Sequence, residues 1–407
     1  DRVCTGELIS CGTPCRFQGK EDWFSNPTYN KYAEWTWQLS RHNEWKILAH
    51  MYRKTGNVKY AKTCADLFES WVKQAVRPDD TEGFQTLCWR TIECGIRMGA
   101  NWPYVLHSFY TSEAFTDDIL VDWYKSVYEH AVRLKDHHMS GNWLIMEMNG
   151  LAHISILYEE FKQAEEWRNF AFAMLGEELK KQIYPDGFQY ELSTGYHDVV
   201  INNFQRLIRT AQAYEVSVPE EFYQVLEKAA QINVKLMMPS GQVPDINDGN
   251  WKQAADLLKP KMELFPDNTV FQWVVSKGKQ GEKPSFTSCV LPYSGFAVMR
   301  TGWKEEDTWG LLDCAPFGRG HQHEDKLSFL MYAGGKLLLT EGGNYAYDTS
   351  KMREYVLSSA SHNTILVDGM GQNRRKNYVW KDEDIKKKAD MQYSLTDDID
   401  YAKAEYT

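Results

Sequence analysis

The sequence predicts an α+β protein in which helical hairpins come first and antiparallel β structure follows. From about residue 28 to 265, apolar residues recur at helical spacing in paired segments separated by short polar turns. After Pro284 these segments give way to short alternating apolar runs bounded by Gly and Asp. The chain has 407 residues, and single cores rarely exceed about 250–300 residues, so we expect two domains.

The segment "EWKILAHMYRKTGNVKYAKTCADLFESWVKQ" shows one helical pair. Leu48 and Tyr52 lie on the apolar stripe of its first helix, "TGN" ends that helix, and Leu67 and Phe68 lie on the stripe of the second. Each hairpin needs a neighbour to bury its apolar face, so the set is expected to close as a solenoid or as a toroid around a cleft. Similar pairs are predicted near residues 86–135, 141–182 and 194–235.

The β region is predicted from "SGFAVMRTGW", "DTWGLLDCAP", "DKLSFLMYAGGKLLLTEGG" and "SHNTILVDG". "YAGGKLLLTEGGN" indicates a hairpin with Gly334 and Gly335 in the turn. We therefore expect a helical domain over residues 1–275 and a β domain over residues 285–407. The final "DIDYAKAEYT" is also typical of a strand, and we expect the β domain to continue past it.

Composition excludes two classes of function. A net charge of −10 argues against a nucleic-acid partner, because neutralising phosphates requires a basic face. No apolar run approaches the roughly 18–20 residues of a membrane span. The chain has 15 Trp and 23 Tyr, which suits stacking on sugars as well as ordinary core packing.

Two polar clusters lie in the helical region. "SGNWLIMEMNGLAHI" places Asn142 in the first turn of a helix, where Asn ordinarily caps, and Asn149 lies on roughly the same face. "YPDGFQYELSTGYHDVVINNF" has a turn at "PDG" and then brings Glu191, Tyr196 and His197 to the start of another helix. Tyr196 is interpreted either as a hydrogen-bonded core residue or as a tyrosine that transfers protons.

The third cluster is "GRGHQHEDKLSF" in the β region. On a strand, His321, His323 and Asp325 would project from one face. A zinc-type site would need further ligands, and Glu341 and His362 follow on predicted strands. Histidines hydrogen-bonded at the rim of a sheet are the alternative interpretation.

The order of "GNW", "DGFQYELSTGYH", "GHQHEDKLSF", "LLLTEGG" and "SHNTILVDG" after a region of helical hairpins resembles the heparinase II/III family of polysaccharide lyases. The resemblance extends over most of the chain and is weakest in the first 30 or so residues. It implies an incomplete (α/α) toroid followed by an antiparallel β-sandwich, with the active cleft between them.

The resemblance also implies residue roles. Asn142 would contact the uronate carboxylate of the substrate, and Tyr196 and His321 would be the catalytic pair. His323, Glu341 and His362 would hold a structural divalent metal, usually zinc. "TLCWRTIECGIRMGANW" resembles the family's first cleft helix. The full set of expected substrate-binding residues is Trp89, Arg90, Glu93, Arg97, Trp143, Asn149, Glu191 and His197.

Two positions depart from the pattern of many relatives: Trp143 stands where they have His, and Glu341 stands where some have Asp. The implied activity is β-elimination on a uronic-acid polysaccharide, with heparin or heparan sulfate expected and alginate as the alternative. The arginines Arg206 and Arg209 and the "NRRK" stretch favour a sulfated chain.

A glycoside hydrolase using acids such as Asp186, Glu191, Asp245 and Asp248, and a non-catalytic glycan-binding relative, are the competing classes. The resemblance implies a periplasmic or secreted bacterial protein whose partner is an anionic polysaccharide.

Overall fold

The computed structural model describes residues 1–17, 21–79 and 88–406. These residues form two compact units, Asp1–Glu178 with Arg206–Val218, and Leu179–Gln205 with the chain from Pro219 onward. The grouping differs from the expected division at residues 275–285. The reason is a hydrophobic core in the second unit to which residues on both sides of that division contribute, among them Phe188, Leu236 and Phe271 from the helical part and Phe296 and Leu330 from the strands.

Among its described residues, the first unit is helical apart from an N-terminal hairpin. The hairpin consists of β1 (Glu7–Ser10) and β2 (Thr13–Arg16). The helices are α1 (Glu34–Leu39), α2 (Asn43–Thr55), α3 (Lys59–Gln74), α4 (Thr91–Ile96), α5 (Trp102–Phe109), α6 (Asp117–His137) and α7 (Asn142–Leu157), with a π-helical turn at Arg97–Asn101.

The predicted hairpin over residues 44–74 is confirmed as α2 and α3. α2 ends at Gly56, whose φ of 66° is the left-handed conformation that glycine adopts without strain, and its N–H donates to Tyr52 O. The hairpin predicted to begin near residue 86 starts outside the described residues, and its first described helix is α4. Helical hairpins are therefore the local unit of this part of the chain, as the apolar spacing indicates.

Helix α7 is the buried helix of the first unit, because every residue from Leu144 to Ile156 is buried. Its packing on α4 is backbone to backbone. A Cβ on Gly150 would meet Gly95 Cα at 2.7 Å, so neither glycine tolerates a side chain. This close approach fixes α7, and with it Asn142 at its first turn, against α4.

Two long helices follow in sequence, α8 (Ala164–Gln182) and α9 (Thr194–Ala213). The second unit then contributes α10 (Glu220–Leu236), the short β3 (Gln242–Val243) and β4 (Lys252–Gln253), α11 (Ala254–Leu258) and α12 (Thr269–Val275). Its strands and later helices are β5 (Cys289–Leu291), β6 (Phe296–Arg300), β7 (Trp309–Asp313), β8 (Phe329–Ala333), β9 (Lys336–Leu339), α13 (Lys351–Leu357), α14 (Arg374–Asn377), β10 (Met391–Leu395) and β11 (Asp400–Ala404).

The β structure predicted after Pro284 is confirmed as antiparallel. Strands β5 to β9 form a five-stranded sheet in sequence order, and β10 pairs with β11 as a separate hairpin. The predicted turn at Gly334 and Gly335 is also confirmed, since both have positive φ and Ala333 pairs with Lys336 across it. In the described residues after Pro284, the β structure consists of this five-stranded antiparallel sheet and the β10–β11 hairpin.

Candidate active site

Residues 318–328 of the "GRGHQHEDKLSF" stretch form a loop before β8, which corrects the predicted strand. Gly320 and Leu327 have φ values of 71° and 67°, and such left-handed residues interrupt the extended backbone. The loop directs its polar residues to different partners. His321 reaches Glu191, His323 reaches Asp248, and Asp325 accepts a 2.9 Å hydrogen bond from Arg374.

Tyr196 is held at the start of α9 by the segment that precedes β4. The Thr194 hydroxyl donates to Pro244 O at 2.9 Å, and a Cβ on Gly195 would meet Asp248 O at 2.6 Å. The first turn of α9 therefore lies directly on the backbone around Asp248. Since Asp248 N also donates to His321 O at 3.2 Å, the same segment positions both Tyr196 and His321.

The Tyr196 and His321 rings stack with centroids 3.4 Å apart and planes 17° apart. Glu191 Oε2 lies 3.3 Å from His321 Nδ1. A carboxylate at Nδ1 favours the tautomer with its proton there, which leaves the lone pair on Nε2. The His321 side chain is 24% exposed, whereas that of Glu191 is 5% exposed. The arrangement is a partly exposed imidazole next to a buried carboxylate and stacked on a phenol.

Tyr347 completes this group and was not predicted from the sequence. Its hydroxyl is 2.9 Å from that of Tyr196, and its ring is nearly perpendicular to His321 with centroids 5.8 Å apart. Desolvation, with the neighbouring Tyr196 and Asp248, raises the pKa of the Tyr347 phenol. The "GGNYAYD" context has no periodicity or motif that distinguishes Tyr347 from Tyr345, so only the fold identifies it.

Asp248, whose backbone contacts His321, has a buried side chain that forms an ion pair with Arg353. Arg353 donates to both of its oxygens, at 2.7 and 2.9 Å, and His323 Nε2 lies 2.9 Å from Oδ1. Burial alone would raise the pKa of Asp248, but its hydrogen bonds with His323 and Arg353 outweigh burial and lower it. The Arg353 guanidinium also lies 5.1 Å from the centroid of the Tyr347 ring, which links this pair to the tyrosines.

The three predicted metal ligands lie in the same unit, but not on the expected strands. Glu341 follows the end of β9, and His362 follows a 3₁₀ turn at Ser359–Ser361. His362 Nδ1 bonds directly to Glu341, and the His323 and His362 ring centroids are 5.2 Å apart. The second ring nitrogens, His323 Nδ1 and His362 Nε2, are buried and have no hydrogen-bond partner in the described part of the chain.

These nitrogens and carboxylates are donor types that zinc prefers. Across residues 1–17, 21–79 and 88–406, however, no group of three His, Cys, Asp or Glu side chains is gathered as a metal-binding set. The donors thus fit the predicted metal chemically, whereas in the structure His362 is hydrogen-bonded to Glu341 and His323 to Asp248. Metal binding by His323, Glu341 and His362 stays a prediction.

Asn142 is the first residue of α7 in the first unit, and Gly141, with φ of 72°, occupies the N-cap position. The ordinary capping position thus belongs to its neighbour. Arg90 lies close by in the same unit, with its guanidinium 4.8 Å from the Trp143 ring and a 2.8 Å ion pair to Glu93. Asn142, Arg90 and Trp143 stay predicted substrate contacts, as does Asn149, which is buried against Gly99.

Three further residues that are predicted substrate contacts have buried side chains. Trp89 is buried and donates to Ala75 O at 2.6 Å. Arg97 is fully buried and donates to His130 Nε2 at 2.8 Å. His197 is buried, with Nδ1 accepting from Gln189 N and Nε2 2.9 Å from Ala229 O.

Burial lowers the pKa of His197, which keeps it neutral. Trp89, Arg97 and His197 are thus hydrogen-bonded within the protein interior, and their contact with substrate stays a prediction. Glu93 is likewise fully buried between Arg41 and Arg90.

Comparison with known families decides the affiliation. The family model described as "Heparinase II/III N-terminus" matches residues 12–273, and the family model described as "Heparinase II/III-like, C-terminal" matches residues 284–403. The chain belongs to the heparinase II/III family. Within this family, the chain is similar to a heparin-sulfate lyase of Pedobacter heparinus, at 28% identity over 346 residues, covering 82% of this chain and 52% of the relative.

A second relative is a heparin-sulfate lyase of Bacteroides thetaiotaomicron, 27% identical over 383 residues, covering 86% of this chain and 54% of the relative. A solved structure of heparinase III superposes with a TM-score of 0.82 at 26% identity, covering 93% of this chain and 60% of that one. This heparinase II/III chain spans about half the length of the curated relatives it matches. None of its described helices is long and apolar enough to cross a membrane.

Proposed function

We propose that this heparinase II/III chain is a polysaccharide lyase that cleaves a uronic-acid polysaccharide by β-elimination. The observation that supports it most is the stacking of Tyr196 on His321, with Glu191 at the imidazole Nδ1. A phenol and an oriented imidazole side by side are the groups that proton abstraction and leaving-group protonation require. The chemistry removes the proton α to the uronate carboxylate, breaks the C4–O bond and consumes no water.

The difficulty of the reaction is the negative charge on the uronate, which makes the α-proton very weakly acidic. A neutral donor at the carboxylate stabilises the dianion that develops in the transition state. Asn142 takes this role in the proposal, through its amide N–H. Its position at the start of the buried helix α7, packed on α4 through Gly95 and Gly150, gives it the rigid support that such a donor needs.

In the proposed mechanism, His321 acts as the base through Nε2, and Tyr196 protonates the leaving oxygen. Tyr196 also serves as base where the uronate epimer presents its proton on the same side as the leaving group. Glu191 holds the imidazole and stabilises its protonated form, and the Tyr347 hydroxyl exchanges a hydrogen bond with Tyr196. The four side chains belong to one compact unit, so they can act together.

The proposed substrate is heparin or heparan sulfate, with alginate as the second candidate. Support comes from the relatives, which are named heparin-sulfate lyases. The "NRRK" stretch supports it less than the sequence indicates, because Arg374 is paired with Asp325 at 2.9 Å. The hydrolase alternative loses two of its acids, since Asp248 is paired with Arg353 and Asp186 accepts the backbone N–H groups of Tyr293 and Ser294.

A panel of polysaccharides tests the proposal directly. The chain is incubated with heparan sulfate, heparin, alginate, hyaluronan and chondroitin while the ultraviolet absorbance of an unsaturated uronate is followed. A rise with heparan sulfate or heparin is expected. A rise in absorbance with alginate alone would show that the substrate is alginate and not heparin or heparan sulfate. New reducing ends without absorbance would indicate a hydrolase, and binding without either signal would indicate a non-catalytic relative.

We propose in addition that His323, Glu341 and His362 hold a divalent metal such as zinc. The buried ring nitrogens without hydrogen-bond partners in the described chain support it. A metal there would keep the loop that bears His321 in place. We also propose a periplasmic or secreted location, in keeping with the bacterial relatives, and fractionation of the source cells tests it.

A further inference from the structure

A second pocket lies in the second unit, and none of its lining residues belongs to the Tyr196 and His321 group. It has a volume of about 360 Å³ and is bounded by the turn between α10 and β3, the end of β4 with the start of α11, the α12 region and the loop after β6. This volume is at the lower end of the roughly 300–1,000 Å³ of small-molecule sites, so it suits one sugar residue or the end of a chain. Its lining includes Ser240, Gln253, Trp273, Lys277, Trp303 and Glu305.

Two indoles form the apolar walls of this pocket. The Trp273 and Trp303 rings are 5.9 Å apart between centroids and 78° apart in plane. Both side chains are partly exposed rather than buried, although they contribute to the edge of the core. Two partly exposed indoles at right angles offer a face and an edge to the same ligand, which suits a pyranose ring with its apolar C–H face.

Trp303 is fixed in place before any ligand arrives. Its Nε1 donates to Phe286 O at 3.1 Å, and the Arg300 guanidinium lies 4.5 Å from its ring centroid. Arg300 is itself anchored by hydrogen bonds to Thr287 O at 3.1 Å and Met237 O at 2.9 Å. Because Arg300 and this hydrogen bond already hold the Trp303 indole, the side chain loses little conformational freedom when a ligand binds.

The polar groups at the pocket have opposite charges. Lys277 follows the C-terminus of α12 in a left-handed conformation, with φ of 54°, and Glu305 lies on the loop that bears Trp303. Both side chains are exposed, and Gln253 and Ser240 add an amide and a hydroxyl. A cation suits a carboxylate, whereas Glu and Gln oxygens accept hydrogen bonds from sugar hydroxyls.

We propose that this pocket is a non-catalytic subsite for a uronic acid residue of an anionic saccharide. The indoles stack on the sugar ring, Lys277 pairs with its carboxylate, and Glu305 and Gln253 bind its hydroxyls. The inference does not depend on lyase activity, because no residue of the catalytic group lines the pocket. It gives the chain a second contact with a polysaccharide, at which binding and turnover are separable.

The test compares two disaccharides that differ only in the group at C6 of one sugar. Cellobiouronic acid has a carboxylate there and cellobiose has a hydroxymethyl group, and binding of each to the whole chain is measured by calorimetry. Lys277→Gln is expected to lower the affinity for cellobiouronic acid about three- to tenfold and to leave the affinity for cellobiose unchanged. Lys279→Gln, an exposed lysine outside the pocket, serves as the matched control and should change neither affinity. Trp273→Ala should weaken both ligands.

Three outcomes would overturn the subsite. The first is that neither disaccharide binds. The second is that Lys277→Gln and Lys279→Gln bind cellobiouronic acid with equal affinity. The third is that His321→Ala abolishes this binding while Lys277→Gln does not. Initial rates on the polysaccharide at saturation are expected to be the same in Lys279→Gln and the unsubstituted chain. A chain that binds cellobiouronic acid through Lys277 but cleaves nothing would contradict the proposed lyase function and leave the subsite intact.

Discussion

The phenol of Tyr196 stacks on the imidazole of His321, with ring centroids 3.4 Å apart and an angle of 17° between the planes. The two residues are far apart in sequence, and the backbone of Asp248 joins them, because it contacts Gly195 at the start of α9 and donates to His321 O. One segment therefore positions both side chains, which are the two proton-transfer groups of the proposed mechanism. The consequences can be measured residue by residue.

Tyr347→Phe removes the hydroxyl that lies 2.9 Å from the Tyr196 hydroxyl and keeps the ring. A neutral hydrogen bond is worth about 0.5–1.5 kcal/mol, so kcat should fall about two- to tenfold while KM changes little. Steady-state kinetics measures the effect. Tyr345→Phe is the matched control, since that exposed tyrosine is two residues away, and it should be fully active. Equal rates for the two variants would contradict the role of Tyr347.

Glu191→Gln keeps the size of the side chain but removes the charge 3.3 Å from His321 Nδ1. An amide holds the imidazole less well and does not stabilise its protonated form, so kcat should fall by about 10–10³-fold. Initial rates and the melting temperature should be measured together. A folded variant with an unchanged kcat would show that Glu191 does not orient the imidazole, and a change confined to KM would favour the predicted substrate contact.

His323→Ala tests the metal. If His323, Glu341 and His362 hold zinc, the substitution should remove the metal and lower the melting temperature together, because metal binding contributes to folding free energy. Elemental analysis of purified, never-chelated protein gives the stoichiometry. Absence of metal from the unsubstituted protein would refute the prediction, and so would a His323→Ala variant that retains a full equivalent.

Glu44 makes the stability of the first unit depend on pH. Burial raises the pKa of its carboxyl from 4.5 to about 8, so between these pH values the folded chain holds a proton that the unfolded chain has released. Stability therefore falls as pH rises through this window, by up to about 1.4 kcal/mol per pH unit.

Glu44→Gln does not titrate and should flatten this slope in denaturant unfolding at pH 5, 6, 7 and 8. Glu69→Gln, at an exposed position on α3, should keep the slope of the unsubstituted protein. Parallel slopes for Glu44→Gln and the unsubstituted chain would show that Glu44 is not the group responsible.

The fold was largely predictable because its signals are local. The TGN break between α2 and α3 and the Gly334–Gly335 turn depend on neighbouring residues alone, and both predictions are confirmed. The strand predicted through His321 and His323 failed for a tertiary reason. The polar groups of that loop are hydrogen-bonded to Glu191, Asp248 and Arg374, which are distant in sequence. Residues that alternate in the sequence therefore do not lie on the two faces of a strand.

The same limit applies to the site. The resemblance of the motifs to the heparinase II/III family singled out Tyr196 and His321 as the predicted catalytic pair, whereas their contacts with Glu191 and Tyr347 became visible only in the fold. Tyr347 looks like any other tyrosine in sequence. Conversely, the sequence did not indicate that Arg97 and His197 are buried and hydrogen-bonded within the protein.

The most direct test of the proposed mechanism is the turnover of Tyr196→Phe. The substitution keeps the ring stacked on His321, so folding and substrate binding should survive, while kcat should fall by about 10²–10⁴-fold, the usual contribution of general acid–base catalysis. If Tyr196 were only a core residue, the variant would lose about 1 kcal/mol of stability and keep its turnover. A folded Tyr196→Phe chain that cleaves the polysaccharide at close to the unsubstituted rate would contradict the mechanism.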